Sequence, residues 1–174
     1  MRLIVFLSII LFSLSAFSED HSMQPERTVR GFYTALTQTQ PNLLKELESL
    51  SPYLCQKMNM LVKQALMAND TYISRFPNDI PPFEHGNCVF FGGGDCDFSS
   101  YKLVSTTVKG AIAKSTVELD LIDRNRPKEP PFRWYNNVTL IKEQGKWVII
   151  DVDYFGSSAS ENLKQIIKDA HLTR

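Results

Sequence analysis

The hydrophobic positions change their spacing near the middle of the chain. In the first part they recur at helical spacing, and four residues fall at i, i+3, i+4 and i+7 on one face: Val29, Phe32, Tyr33 and Leu36. From Tyr101 onward, Thr and Val occur at the density of a strand, and over residues 117–121 apolar and acidic residues alternate as in a strand with one buried face. The pattern therefore predicts helices first and a sheet afterwards.

Three helices are predicted before the sheet. The first covers residues 25–38, because Pro25 suits a first helical turn, where its missing N–H costs nothing. A short second helix is expected to begin at Pro41 and to include Leu43, Leu44 and Leu47. Ser51 and Pro52 predict the N-cap and first residue of a third helix, which we expect to end near residue 68.

The remaining chain predicts a meander of strands and a last helix. Strands are expected over residues 101–109, 117–121, 132–142 and 146–155, with a tight turn at Gln144-Gly145. A capping box at residues 158–161 begins the last helix. Residues 77–94 carry three prolines and four glycines without a sustained period, so we expect a long crossing loop there.

The order of these elements indicates the fold class. Helices segregated from an antiparallel meander favour α+β over a parallel α/β sheet. A strongly curved sheet, covered on its concave side by the N-terminal helices and followed by a C-terminal helix, would bury the predicted apolar faces. We expect one such domain.

Composition and charge narrow the function classes. The chain has 174 residues, of which 43% are hydrophobic and 22% charged, as in an ordinary globular protein. Its 19 basic and 19 acidic residues balance, which argues against a nucleic-acid partner. No P-loop, GxGxxG, CxxC, HExxH or GxSxG motif is present, and the three histidines are widely scattered, so no cofactor or metal is expected.

The first 18 residues have the pattern of a signal peptide. Arg2 supplies the positive charge, residues 3–14 form an apolar run too short to span a bilayer, and small residues precede a cut before Glu19. A buried N-terminal helix is the alternative. We predict a mature chain of residues 19–174 that lies in the periplasm and has no transmembrane segment. Because no cysteine lies at the cut, we also expect no lipid anchor.

Export favours a disulfide among the three cysteines. Cys88 and Cys96 flank a glycine-rich segment that can double back, so we predict a bond between them and a buried free thiol at Cys55. Such a bond would stabilise the fold by roughly 2–3 kcal/mol. A bond from Cys55 to one of the other two is the main alternative.

Three stretches carry a resemblance to a known family. They are Val29-Arg30-Gly31-Phe32-Tyr33 followed by residues 50–54, then residues 94–98, and finally residues 145–154 with Leu163-Lys164. These resemble small exported bacterial envelope proteins of unknown function, some of them lipoproteins, that are held to be NTF2-like. The resemblance implies a cone-shaped fold more than a function, since one fold hosts many activities.

The cone suggests a ligand site at its mouth. Arg30 and Tyr33 on the first helix could line it, although Tyr33 also fits the core with its hydroxyl at the rim. Asp151 and Asp153 share one face of the last strand, about 7 Å apart, and could perform acid–base chemistry. The preferred interpretation is that these carboxylates accept hydrogen bonds from loop amides or face water.

The other candidate residues favour structural interpretations. Asp95 and Asp97 could bind a cation, but they suit a turn better. His85 fits a solvated loop position. The aromatic residues Trp134, Trp147 and Phe155 are expected in the core. No nucleophile and base are paired in the sequence, so we predict no enzyme.

Three functional hypotheses follow. The first is a non-catalytic periplasmic interaction or accessory protein, which presents the cone mouth or residues 77–98 to an envelope or secreted partner. One version of this hypothesis is an immunity protein that blocks a toxin delivered into the periplasm. Four phenylalanines of that segment suggest an apolar interface: Phe83, Phe90, Phe91 and Phe98. The second is a binder of a small apolar ligand in the cone. The third is a ketosteroid-isomerase-like enzyme. The resemblance to NTF2-like domains also implies a homodimer formed through the outer face of the sheet.

The signal-peptide interpretation makes a direct prediction. When the full chain is expressed in a bacterium with a periplasm, the protein released by osmotic shock should begin at Glu19, as measured by N-terminal sequencing. Recovery of the chain with Met1 in the cytosolic fraction would contradict export.

Overall fold

A computed structural model describes residues 24–38, 49–82, 88–92, 98–123, 126 and 128–171. These residues form an α+β fold in which helices pack on one face of an antiparallel sheet. The helices are α1 (Gln24–Gln38), α2 (Gln56–Arg75), α3 (Cys88–Phe91) and α4 (Ala159–His171), and a 3₁₀ turn covers Ser51–Tyr53. The predicted α+β class with an antiparallel sheet is therefore confirmed.

The sheet is a meander of five strands in chain order. They are β1 (Ser100–Lys109), β2 (Ile112–Leu121), β3 (Phe132–Glu143), β4 (Lys146–Tyr154) and β5 (Ser157–Ser158), and all neighbours are antiparallel. Gln144 and Gly145 join β3 to β4 with φ values of 50° and 82°, which are typical of the predicted tight hairpin turn. The two-residue strand β5 was not predicted.

Helix α1 covers the inner face of the sheet. Its bounds agree with the prediction, and its apolar stripe is buried as expected, with Phe32 and Tyr33 completely inaccessible. The hydroxyl of Thr28 donates a hydrogen bond of 3.0 Å to the carbonyl of Trp147, which fixes the helix against β4. The inner face presents mainly apolar side chains: Val117, Leu119, Trp134, Val138, Leu140, Ile149 and Val152.

Helix α2 begins later than the sequence predicted. Ser51 and Pro52 form the 3₁₀ turn, and the N-cap of α2 is Cys55, whose Sγ accepts the backbone N–H of Met58 at 3.2 Å. The reason is tertiary: the N–H of Cys55 donates to the carbonyl of Ile149 at 2.9 Å, which keeps the chain extended along β4 before the helix starts.

Helix α2 also ends later than predicted, at Arg75 instead of near Ala68. The additional turns pack against α4, where Ala68, Tyr72 and Ala170 form a small second core. This contact joins residues about 100 positions apart, so local periodicity does not reveal it. The short helix expected at residues 41–47 lies outside the described residues.

The N-terminus of α4 confirms the predicted capping box. The backbone N–H of Ser158 donates to the Glu161 carboxylate at 3.1 Å, and the N–H of Glu161 donates to the Ser158 hydroxyl at 3.3 Å. Leu163 is completely buried against the main core. The box thus fixes where the chain leaves the sheet and begins the last helix.

The predicted crossing loop contains the one-turn helix α3, which the sequence analysis missed. Its residues Val89, Phe90 and Phe91 are at most 4% exposed, and Phe98 is 7% exposed. The ring of Phe90 packs edge-on against Phe32 of α1, with ring centroids 5.5 Å apart. These phenylalanines therefore belong to the core, and the prediction that they form an exposed interface was wrong for the three that the structure describes.

Three side chains of the sheet hold α3 in place. The carbonyl of Val89 accepts the Tyr154 hydroxyl at 2.6 Å, and the carbonyl of Phe91 accepts Trp134 Nε1 at 2.7 Å. Between them, Asn136 Nδ2 donates to the carbonyl of Phe90 at 3.2 Å. A one-turn helix cannot satisfy these carbonyls internally, so the sheet supplies the donors that burial requires.

The cysteine predictions are settled only for Cys55. It is a free thiol with 3% exposure, as expected. Cys96 and the side chain of Cys88 lie outside the described residues, so their bond stays a prediction. Among the helices that the structure describes, none is long and apolar enough to cross a membrane.

The attachment of α3 predicts a specific sensitivity at Gly92. This residue has a φ of +69°, and a Cβ placed on it would lie 2.2 Å from Cδ2 of Tyr154. We expect Gly92→Ala to lower the free energy of unfolding by about 2–4 kcal/mol, through backbone strain and steric overlap together. Urea denaturation measures this change.

Gly145→Ala is the matched control. Gly145 also has a positive φ of +82°, but nothing lies within 4 Å of a Cβ placed on it. Its loss of about 1 kcal/mol would report the backbone strain alone. Equal losses in the two variants would contradict the close packing of Gly92 on Tyr154.

Candidate functional site

The four residues predicted as a ligand site lie in three separate places. Tyr33 is completely buried, and its hydroxyl accepts a hydrogen bond of 3.1 Å from Nδ2 of Asn136. Burial raises the pKa of Tyr33 well above its usual range, despite the opposing effect of this bond. The hydroxyl therefore lies inside the core instead of at a rim.

Arg30 lies on the solvent side of α1. It lines a groove of about 530 Å³ between this helix and the 3₁₀ turn, which we call the α1 groove. The groove is lined by Glu26, Arg27, Arg30, Gly31, Thr34, Ala35, Gln38 and Tyr53. Tyr33, three residues further along the chain, is completely buried in the core and does not line this groove, so Arg30 and Tyr33 do not share one cavity.

Asp151 and Asp153 lie on the outer face of the sheet. They pair with Thr139 and Asn137 of β3, whereas the intervening Val152 is completely buried on the inner face. The prediction that the two carboxylates share one face thus agrees with the register. The isomerase hypothesis places a carboxylate on the inner face of the sheet, whereas Asp151 and Asp153 lie on the opposite face.

Both aspartates line a polar groove of about 650 Å³ where β3, β4, β5 and the first turn of α4 meet. We call it the outer groove. It is lined by Tyr135, Asn137, Asp151, Asp153, Tyr154, Phe155, Gly156, Ser157, Ser158, Ser160, Glu161 and Lys164. It brings together two of the four predicted residues and is the candidate functional site.

Asp151 is a structural member of the groove. Its Oδ1 accepts the backbone N–H groups of Val152 at 2.9 Å and Ser160 at 3.0 Å, and its Oδ2 accepts the Ser160 hydroxyl at 2.6 Å. A carboxylate that accepts amides in the first turn of a helix also interacts favourably with the helix dipole. Asp151 therefore joins α4 to β4, as the preferred interpretation of amide bonding expects.

Asp153 is the more available carboxylate. It is exposed, and its pKa is raised by partial burial and by the negative charges of Asp151 and Glu161, while Lys114 acts in the opposite direction. The groove lining carries three carboxylates, Asp151, Asp153 and Glu161, and the single lysine Lys164, so its formal charge is negative. An incoming cationic group would relieve this repulsion.

An exposed aromatic residue borders the outer groove. Phe155 was expected in the core, but it is 64% exposed, and its ring stacks on the buried Trp134 at 6.5 Å. Its φ of +48° and that of Gly156, +80°, form the tight turn between β4 and β5. This turn reverses the chain between β4 and β5 and leaves Phe155 on the surface. Trp134 and Trp147 are buried as predicted.

The outer groove can accept hydrogen bonds and attract a cation through Asp153, and it offers aromatic surface through Phe155 and Tyr135. Burial raises the pKa of Tyr154 to about 12, and its hydroxyl already donates to the carbonyl of Val89. Among the described residues, no group of three His, Cys, Asp or Glu side chains could hold a metal ion. His85, Asp95 and Asp97 lie outside the described residues.

The sequence indicates the two aspartates but not their partners. Ser160 and Glu161 were recognised only as parts of the capping box. The contact between Ser160 and Asp151 depends on the β4–β5 hairpin, since this turn folds the first turn of α4 back beside β4. The Phe155-Gly156 dipeptide was the available signal, because glycine at the second turn position favours such a hairpin.

The two aspartates should differ in their effect on stability. We expect Asp151→Ala to lower the free energy of unfolding by about 1.5–3 kcal/mol, since it removes charge-assisted hydrogen bonds to α4. Asp153→Ala is the control on the same strand and face and should change it by no more than about 0.5 kcal/mol. Urea denaturation of both variants checks this, and a larger loss for Asp153→Ala would contradict the assigned roles.

The raised pKa of Asp153 predicts that replacing this carboxylate with a neutral side chain stabilises the fold, by an amount that depends on pH. The folded chain holds the proton of Asp153 more tightly than the unfolded chain does, so ionised Asp153 lowers stability at neutral pH. Asp153→Asn should therefore raise the free energy of unfolding at pH 7. The gain should shrink towards about pH 3, where wild-type Asp153 is protonated. Urea denaturation at both pH values measures it, and a gain that grows on acidification would refute this electrostatic account.

Comparisons with known proteins leave the family open. No model of a protein family matches this sequence, and no curated protein is significantly similar to it.

Proposed function

We propose that this protein is a non-catalytic interaction protein of the bacterial cell envelope, exported to the periplasm, and that its fold is an NTF2-like cone. The antiparallel meander with helices on one face is compatible with such a cone. The signal-peptide pattern of the first 18 residues supports export.

The observation that carries this proposal is the filling of the space between helices and sheet. In the part of the chain that the structure describes, α3 places Phe90 between α1 and the sheet, next to Phe32 and the buried Tyr33. A binder of small apolar ligands or an isomerase would need this space for its ligand. The filled interior therefore favours a protein that acts through its surface.

The outer groove and its aromatic border are the surface we assign to the partner. Phe155 and Tyr135 both line the outer groove and are each at least 50% exposed. Aromatic residues are enriched at protein interfaces because they bury large areas with few rotatable bonds. Asp153 and Glu161 add negative charge beside them, so the expected partner segment is basic and partly apolar.

Site-specific photo-crosslinking in the periplasm tests this assignment. A photoreactive phenylalanine analogue in place of Phe155 should crosslink one partner protein, to be identified by mass spectrometry and then purified. The same analogue in place of Met67 is the control, because Met67 is 70% exposed on α2 and does not line the groove. Equal product from both positions, or none from position 155, would count against the proposal.

A binding measurement with the purified partner tests the charge argument. The double variant Asp153→Asn/Glu161→Gln removes two negative charges, and glutamine at position 161 preserves the capping box. We expect the dissociation constant to rise about threefold or more, with a weaker salt dependence than for the wild type. An unchanged dissociation constant would remove the outer groove as the charged contact surface.

A further inference from the structure

The α1 groove lies on the solvent side of α1, away from the outer groove, and the proposed function does not use it. Its inner wall is formed by the α1 surface at Gly31 and Ala35 and by the ring of Tyr53. The Tyr53 ring lies directly on Gly31, since a Cβ placed there would be 2.5 Å from Cε1 of Tyr53. The absence of a side chain at position 31 therefore lets the ring close one side of the groove.

Two arginines add positive charge to this largely apolar groove. Arg27 and Arg30 are exposed and lie one helical turn apart, so their side chains extend from the same side of α1. Within the described part of the chain, neither guanidinium forms an ion pair or a hydrogen bond. Glu26 is the acidic residue of the lining, so the groove keeps a net positive charge.

This combination defines the chemistry of a ligand. Guanidinium groups bind carboxylate and phosphate oxygens with paired hydrogen bonds. The neighbouring apolar surface suits a short hydrocarbon or ring, and a volume of about 530 Å³ lies within the range of small-molecule sites. A nucleic acid would need a longer track of positive charge than two arginines provide.

We propose that the α1 groove binds a small amphipathic anion. Arg27 and Arg30 hold its carboxylate or phosphate group, and the apolar part of the ligand lies on Tyr53 and on the helix surface at Gly31 and Ala35. This site is independent of the partner surface at the outer groove.

Titration of the ¹⁵N-labelled chain with defined probes tests the proposal by NMR. Octanoate and octyl phosphate should each shift the amide signals of Gly31, Ala35 and Tyr53, and comparison of their affinities distinguishes a carboxylate from a phosphate ligand. Octyltrimethylammonium and octanol should leave these signals in place, and inorganic phosphate should bind at least about tenfold more weakly than octyl phosphate. Binding of octyltrimethylammonium as tight as that of octyl phosphate, or no binding of either anion, would overturn the proposal.

Charge-removing variants complete the test. Arg27→Gln/Arg30→Gln changes two exposed side chains and should raise the dissociation constant for octyl phosphate about tenfold or more. Lys57→Gln/Lys63→Gln removes two exposed charges from α2 outside the groove and should leave it unchanged. Equal effects of the two double variants would mean that only the net charge of the protein matters, and would overturn the site. A wild-type dimer that the arginine variant abolishes would also overturn it, because a second copy of the chain would then occupy the groove.

Discussion

The attachment of α3 to the sheet is the interaction on which the rest of this structure depends. Three successive carbonyls of a four-residue helix accept hydrogen bonds from Tyr154, Asn136 and Trp134. Without them, the backbone of α3 would be buried with unpaired carbonyls, at a cost of about 1–3 kcal/mol for each. With them, the rings of Phe90 and Phe91 can fill the space between α1 and the sheet.

Both grooves that the described residues form lie on the surface. The carboxylates that suggested catalysis lie on the outer face, where Asp151 joins β4 to α4 and Asp153 borders an acidic, partly aromatic groove. On the other side of the core, the α1 groove combines two arginines with an apolar wall. The two grooves have opposite charge and can therefore be tested with different partners.

Local patterns predicted most of the fold. The stripe of α1, the turn at Gln144-Gly145 and the capping box of α4 are each encoded within a few neighbouring residues, and each was found where expected. The predictions were wrong where a contact between distant parts of the chain sets the bounds of a helix. The start of α2 depends on a hydrogen bond between Cys55 and Ile149, and its end depends on packing against α4.

At the candidate site, too, some features follow from local sequence and others from contacts between distant segments. The sequence by itself determined that Asp151 and Asp153 share one face of a strand, because side chains alternate strictly along it. It also determined that the first helix has one apolar and one polar side. Only the tertiary structure decided that Asp151 and Asp153 lie on the outer face, that Tyr33 and Arg30 serve different surfaces, and that Phe155 is exposed while Phe90 is not. The physical reason is that burial depends on what packs against a residue, and in this chain those contacts join segments far apart in sequence.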